Sequence, residues 1–252
     1  YSENGLWLYA TENEYDSGRG LIGVYDVKDN YRLVETLTTY GIGPHEIKLL
    51  PGENILVVAN GGILTHPNFG RKKMNLNTME SSLTYIEIES GKKIENLKLS
   101  KKLQMMSIRH IALGLDNEIA LAMQYQGSQK HLHPLVGFQK GSEEIILGSA
   151  NKNIVSHMKN YCGSVDFDTT GKLIAVSSPR GGVITFWSVP KKRFLSFLRV
   201  QDGCGIAPGK TPESFLITNG FGHILEYSPL TQETELFSIT NNLHWDNHIL
   251  KI

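Results

Sequence analysis

Four short apolar strands separated by turn residues, in a pattern that recurs about every 40 to 60 residues, predict an all-β fold, a β-propeller of four-stranded antiparallel blades. Two further observations point the same way. The first strand of each repeat opens on a polar cluster: Gly43-Pro44-His45-Glu46, Ser107-Ile108-Arg109-His110, Asn160-Tyr161-Cys162-Gly163-Ser164, Asp202-Gly203-Cys204-Gly205 and Trp245-Asp246-Asn247-His248. The chain also carries 25 glycines in 252 residues, enough for a tight turn at every strand end.

The repeat over 165–198 is the plainest. Val165-Asp166-Phe167 meets the turn Asp168-Thr169-Thr170-Gly171, Leu173-Ile174-Ala175-Val176-Ser177 meets Pro179-Arg180-Gly181-Gly182, and Val183 to Trp187 and Phe194 to Leu198 complete the blade. The same order runs over 47–99, 111–147 and 206–239, which makes four blades. Segments 6–10, 21–27 and 32–38 supply the second, third and fourth strands of an opening blade. Residues 249–252 read as an isolated first strand that would close that blade and remove a sheet edge, giving a five-bladed ring. The competing expectation, favoured because the chain opens abruptly on a strand, is a larger ring whose N-terminal blades precede residue 1. Either way residues 1–252 form a single domain, since all-β domains of roughly 200 to 250 residues are ordinary.

Composition narrows the function. Lys and Arg total 25, as do Asp and Glu, so no net charge draws the chain to nucleic acid or to an anionic membrane. No apolar run approaches the ~18 residues of a membrane span. Two cysteines exclude a disulfide-rich scaffold, and their oxidation state is open.

Strands in a blade alternate in direction, so the loops from fourth to next first strand and from second to third share one face. That face receives 11–20, 41–46, 60–82, 103–110, 124–134, 156–164, 178–182, 200–205, 219–223 and 244–248, whereas the other face holds ordinary turns such as Pro51-Gly52-Glu53. Loops on a rigid scaffold are where binding residues sit. First strands line the channel, so His45, Glu46, Arg109, His110, Cys162, Cys204, Asn247 and His248 would ring its mouth. Imidazoles and a carboxylate suit a transition metal such as iron, zinc or copper, although no short-spacing metal motif is present. Hydrogen bonding to loop backbones and channel water is the plain alternative.

The longest loop, 60–82, reads either as a lid anchored by Met74, Leu76 and Met79 or as a solvated basic loop. Arg19, Arg71, Arg109 and Arg180 fall on the same face and suit a carboxylate or phosphate, unless each pairs with Glu12, Glu14, Asp16 or Asp246. The expected ligand-binding set is therefore Glu12, Asp16, Arg19, His45, Glu46, Asn60, His66, Arg71, Arg109, His110, Gln124, Arg180, Asp246, Asn247 and His248, with His45, His110 and His248 as the metal ligands. Nucleophile and phosphate-loop signatures are absent. His45 and Glu46 are adjacent on a strand and would point to opposite faces.

The stretches 11–20, Gly41-Ile42-Gly43-Pro44-His45-Glu46, Val57 to Ile63 with Thr65-His66-Pro67, Ser107 to His110, Met123-Gln124-Tyr125-Gln126-Gly127, Ser178 to Gly182 and Trp245 to His248 resemble, from end to end, a family of bacterial exported proteins of unknown function. That resemblance implies a quinoprotein-like, YVTN-like seven-bladed propeller that lacks about two N-terminal blades here. It also implies a periplasmic location and a genomic link to imelysin-type iron uptake. The expected function is a periplasmic binding protein with a small-molecule or metal site, iron among the candidates, on the loop-rich face at the channel mouth. An enzyme, either a quinoprotein-like oxidoreductase or a lactonase, is the first alternative. A scaffold that docks another envelope protein is the second.

Overall fold

The computed structural model describes residues 1–239 and 242–250. Five antiparallel sheets account for nearly all regular structure, as the periodicity predicts. Two compact units divide the chain, Tyr1–Arg109 and His110–Ile252.

In the first unit, β1 (Trp7–Glu14), β2 (Arg19–Asp26) and β3 (Arg32–Thr38) form a three-stranded sheet. The next sheet runs in chain order through β4 (Pro44–Leu49), β5 (Ile55–Asn60), β6 (Ser82–Glu87) and β7 (Lys93–Lys98). Ile22, Val24 and Leu37 of the first sheet pack on Leu56, Val58 and Ile86 of the second. Alternate residues of each strand meet in this core, the face-to-face burial that period-2 patterning encodes.

The third sheet holds β8 (Met106–Leu113), whose course crosses from one unit to the other, with β9 (Glu118–Tyr125), β10 (Val136–Lys140) and β11 (Ile146–Leu147). The fourth contains β12 (Ser164–Phe167), β13 (Leu173–Ser178), β14 (Val183–Ser188) and β15 (Arg193–Arg199), and the fifth β16 (Gly203–Pro208), β17 (Phe215–Asn219), β18 (His223–Tyr227) and β19 (Thr234–Ile239). Leu173, Ala175, Ile184 and Phe186 of the fourth sheet bury against Ile206, Phe215, Ile217 and Tyr227 of the fifth. Phe186 stands 5.6 Å from Phe215 and 5.1 Å from Tyr227, tilted aromatic contacts at ordinary spacing.

A repeated irregularity marks the sheets as copies of one plan. The pairing of the last two strands slips at Val24/Tyr25, Tyr85/Ile86, Phe186/Trp187 and Ile224/Leu225. Two of the polar openings are also bulges: Pro44 pairs with Asn60 and Glu46 with Ala59, so His45 is the extra residue, and the ladder slips again between Gly203 and Ile206. A bulge takes a side chain out of the strict alternation and re-aims it, which overturns the expectation that His45 and Glu46 follow simple strand geometry.

Four expectations need correction. Segment 11–20 is mostly strand: Glu12 pairs with Leu21 and only 15–18 turn, because the alternating run extends through Glu14. Met74 is 46% exposed, so the 60–82 loop is held down by buried Met79 and not by Met74. Ile249 and Leu250 are not in a strand, and Lys251 and Ile252 lie outside the described residues. The connection from β11 to β12 contains a short helix, α1 (Lys152–His157), capped by the Asn151 side chain accepting from the Ile154 amide at 3.0 Å.

Candidate functional site

In the second unit the chain past β19 returns across the openings of three first strands. The Cys204 thiol donates to the Trp245 carbonyl at 3.3 Å. A Cβ on Gly163 would come within 3.1 Å of Asn247 Oδ1, so glycine gives that side chain room. The His248 ring lies 5.0 Å from that of His110, tilted by 55°, and His110 is buried. Fold topology thus brings together His110 and His248, nearly 140 positions apart.

Beside this crossing lies a cavity of about 340 Å³. Tyr161 and the Pro179–Gly181 turn form one wall, Asp202 and Cys204 another, and Trp245, Asp246 and Asn247 a third. The turn is anchored from both sides: the Val200 amide donates to the Gly182 carbonyl at 3.0 Å, and a side chain at Gly181 would strike the His157 carbonyl of α1 at 1.9 Å. The loop between second and third strands and the loop into the next first strand therefore meet, which is the shared face that alternating strands require.

Charge in the cavity is uncompensated from within. The Arg180 guanidinium sits 4.1 Å above the Tyr161 ring, a cation–π contact, and makes no ion pair or hydrogen bond among the described residues. Neither Asp202 nor Asp246 makes an ion pair among the described residues; Asp246 accepts from the Asn247 amide at 2.6 Å. Burial pushes the Cys204 thiol up, the Thr218 hydroxyl and Gly205 amide pull it down, and the carboxylates of Asp202 and Asp246 add to the upward push. Both carboxylates line the cavity together with Cys204. Cys162 and Cys204 are buried free thiols, and burial pushes Cys162 up to about 12.

The other expected residues divide by role. Asn60 is fully buried: its amide donates to the Thr39 carbonyl at 3.1 Å, Thr84 Oγ1 at 3.0 Å and Ser82 Oγ at 3.3 Å, which ties β5 to β6 and to the turn after β3. Gln124 bridges to Tyr161 in the ladder and donates to the Cys162 carbonyl at 3.0 Å. Arg19 pairs with Glu14 at 2.6 Å, Glu12 accepts from the Tyr25 hydroxyl, and Glu46 meets Lys48 at 2.9 Å. The Arg19 and Glu12 contacts join β1 to β2, whereas Glu46 and Lys48 both lie on β4. Arg109 reaches the backbone at Gly61, where an added Cβ would meet its Nη1 at 3.2 Å.

His66 caps the turn at Pro67–Phe69 by accepting from the Asn68 amide at 3.1 Å. Its ring stands 5.6 Å from Tyr15 and 5.6 Å from Phe69, both well exposed, with Asp16 and Arg71 exposed nearby in the sequence. His45 belongs to the first unit, whereas His110 and His248 belong to the second. Among the described residues no group of three or more His, Cys, Asp or Glu is placed to hold a metal ion.

Tyr161, Asp202 and Trp245 line the cavity but lie outside the expected set, although each stands in one of the polar strand openings that carried the signal; Cys204, expected at the channel mouth, lines it too. A five-sheet all-β repeat protein with a charged cavity at its strand openings is what these features define. By sequence the whole chain, residues 1–252, matches the model of the family described as "Protein of unknown function (DUF1513)", and it belongs to that family. No curated protein matches it. No helix among the described residues is long and apolar enough to cross a membrane.

Proposed function

We propose that this protein is a ligand-binding β-propeller, its sheets acting as blades, whose site for a small polar molecule is the cavity in the second unit. The observation that carries the reading is the cavity wall itself: Arg180, Asp202 and Asp246 each present a charge with no ion-pair partner among the described residues. Cavities of about 300 Å³ and upward with a few convergent polar groups are the usual form of small-molecule sites. A membership in a larger, seven-bladed ring, a periplasmic location and a link to iron uptake belong to the same proposal and rest on the family resemblance.

Native mass spectrometry tests it. Protein purified from its own host should carry a small molecule that the Arg180→Gln/Asp246→Asn double variant lacks. Equal small-molecule content in both would sink the assignment of the cavity.

The first unit favours a second reading, docking to another envelope protein. Tyr15, Phe69 and Met74 are 45%, 57% and 46% exposed on the 60–82 loop and its neighbouring hairpin, beside the run Arg71-Lys72-Lys73. Deleting 66–74 would abolish such docking and leave the cavity's ligand in place.

A further inference from the structure

From the charges around the cavity we infer its ligand class, a small molecule bearing both an ammonium and a carboxylate, with basic amino acids preferred over acidic ones. The inference rests on the proposal that the cavity is the ligand site.

The argument starts from the separation of unlike charges. Arg180 on the turn after β13 and Asp202 before β16 approach the same 340 Å³ space, yet no ion pair joins the guanidinium to either carboxylate among the described residues. Flexible side chains of opposite sign on one small surface ordinarily pair when their anchors allow it. Here Tyr161 holds Arg180 on one wall at 4.1 Å, while Asp246 is turned back on its own chain by the Asn247 amide. The two signs are thus kept apart, as a dipolar ligand requires.

Each end then has a specific chemistry. A guanidinium over an aromatic ring keeps its N–H donors free at the edge, where a carboxylate accepts two of them side by side. At the other end Asp202 and Asp246 line the cavity together with Cys204. Two like charges on one small cavity repel, and a cation between them relieves the repulsion and gains from both. An ammonium with three rotatable donors suits that position. Trp245 adds an aromatic surface at the same wall.

The balance of charge selects within the class. One guanidinium against two carboxylates leaves the cavity at about −1, which a ligand of net +1 neutralises and one of net −1 worsens. Lysine has that charge, and glutamate has the opposite one.

Isothermal titration at low salt, with L-lysine, L-glutamate, acetate and methylammonium as probes, tests the inference. Lysine should bind at least about tenfold tighter than glutamate, the difference of one charge-assisted contact. Asp246→Asn should weaken lysine by about tenfold and narrow its lead over glutamate, and Arg180→Gln should weaken both amino acids. Both side chains are exposed, so circular dichroism of the variants should match the parent. Glutamate binding as tightly as lysine, or lysine affinity unchanged in both variants, overturns the inference. A host molecule that depends on the cavity but lacks either charged group overturns it while leaving the cavity as the ligand site. A cavity that holds no host molecule overturns both.

Discussion

Replacing Asn60 separates a binding residue from a structural one, because the sequence places it among the ligand candidates and the structure buries it completely. Its side-chain nitrogen has two hydrogens, shared among the Thr39 carbonyl and the Thr84 and Ser82 hydroxyls at 3.0 to 3.3 Å. Two well-formed bonds at a net of about 0.5–1.5 kcal/mol each give about 1–3 kcal/mol, and acceptors stranded in the interior add to that. Asn60→Ala should therefore destabilise the first unit by about 2–4 kcal/mol. Asn60→Asp, which has the same shape but cannot donate through its carboxylate, should cost at least as much. Urea unfolding gives the size, and amide exchange followed by mass spectrometry gives the place, with faster exchange expected over β5 and β6. An unchanged midpoint together with lost ligand binding would refute the structural assignment and return Asn60 to the ligand set.

The remaining predictions concern the second unit. Burial pushes the Glu226 carboxyl up, but bonds from the Ser214 hydroxyl and the Thr211 and Lys210 amides outweigh it and hold the group below the usual carboxylate range. A folded value below the unfolded one means that its stabilisation is present above the ordinary value of about 4.3 and is lost as pH falls through the folded value. Glu226→Gln should cost about 1–3 kcal/mol at pH 7 in urea titrations and flatten the stability profile below about pH 4.5; a profile parallel to the parent's would contradict this. Cys162, pushed up to about 12 by burial, and Cys204, raised by burial first, should resist iodoacetamide at pH 7.5 in the folded protein and react once it is unfolded in urea. Rapid labelling of the native form would show either thiol to be accessible. Gly181→Ala would drive a methyl into the His157 carbonyl and should cost about 1–3 kcal/mol or more, with faster amide exchange across α1; unchanged exchange would show that the turn relaxes freely.

The sheets were legible because period-2 alternation and turn residues survive in every repeat: Leu173 to Ser177 was read as a strand and β13 is Leu173–Ser178. The opening hairpin was not, because Thr11, Glu12 and Asn13 look like a polar loop although they continue an alternating strand to Glu14. α1 escaped notice for want of length, although Asn151 ahead of Ile154, Val155 and Met158 is a helix start followed by apolar residues on one side. At the strand openings His110 and His248 come into ring contact, and Asn247 lines the cavity in the same unit. Which members face a cavity was set by bulges and by the returning tail, neither of which leaves a local mark. For the same reason Asn60, Gln124 and Arg19 could not be told from ligand residues: their partners, Thr39, Cys162 and Glu14, are fixed by pairing register.

The chain has three tryptophans, Trp7, Trp187 and Trp245, so the indole region of a nitrogen-15 NMR spectrum offers one reporter in the cavity and two outside it. Trp245→Phe assigns the reporter. Adding the low-molecular-weight fraction of the host cell should move the Trp245 signal and leave those of Trp7 and Trp187 in place. A still Trp245 signal, or movement confined to Trp7, would contradict a ligand site in the second unit's cavity.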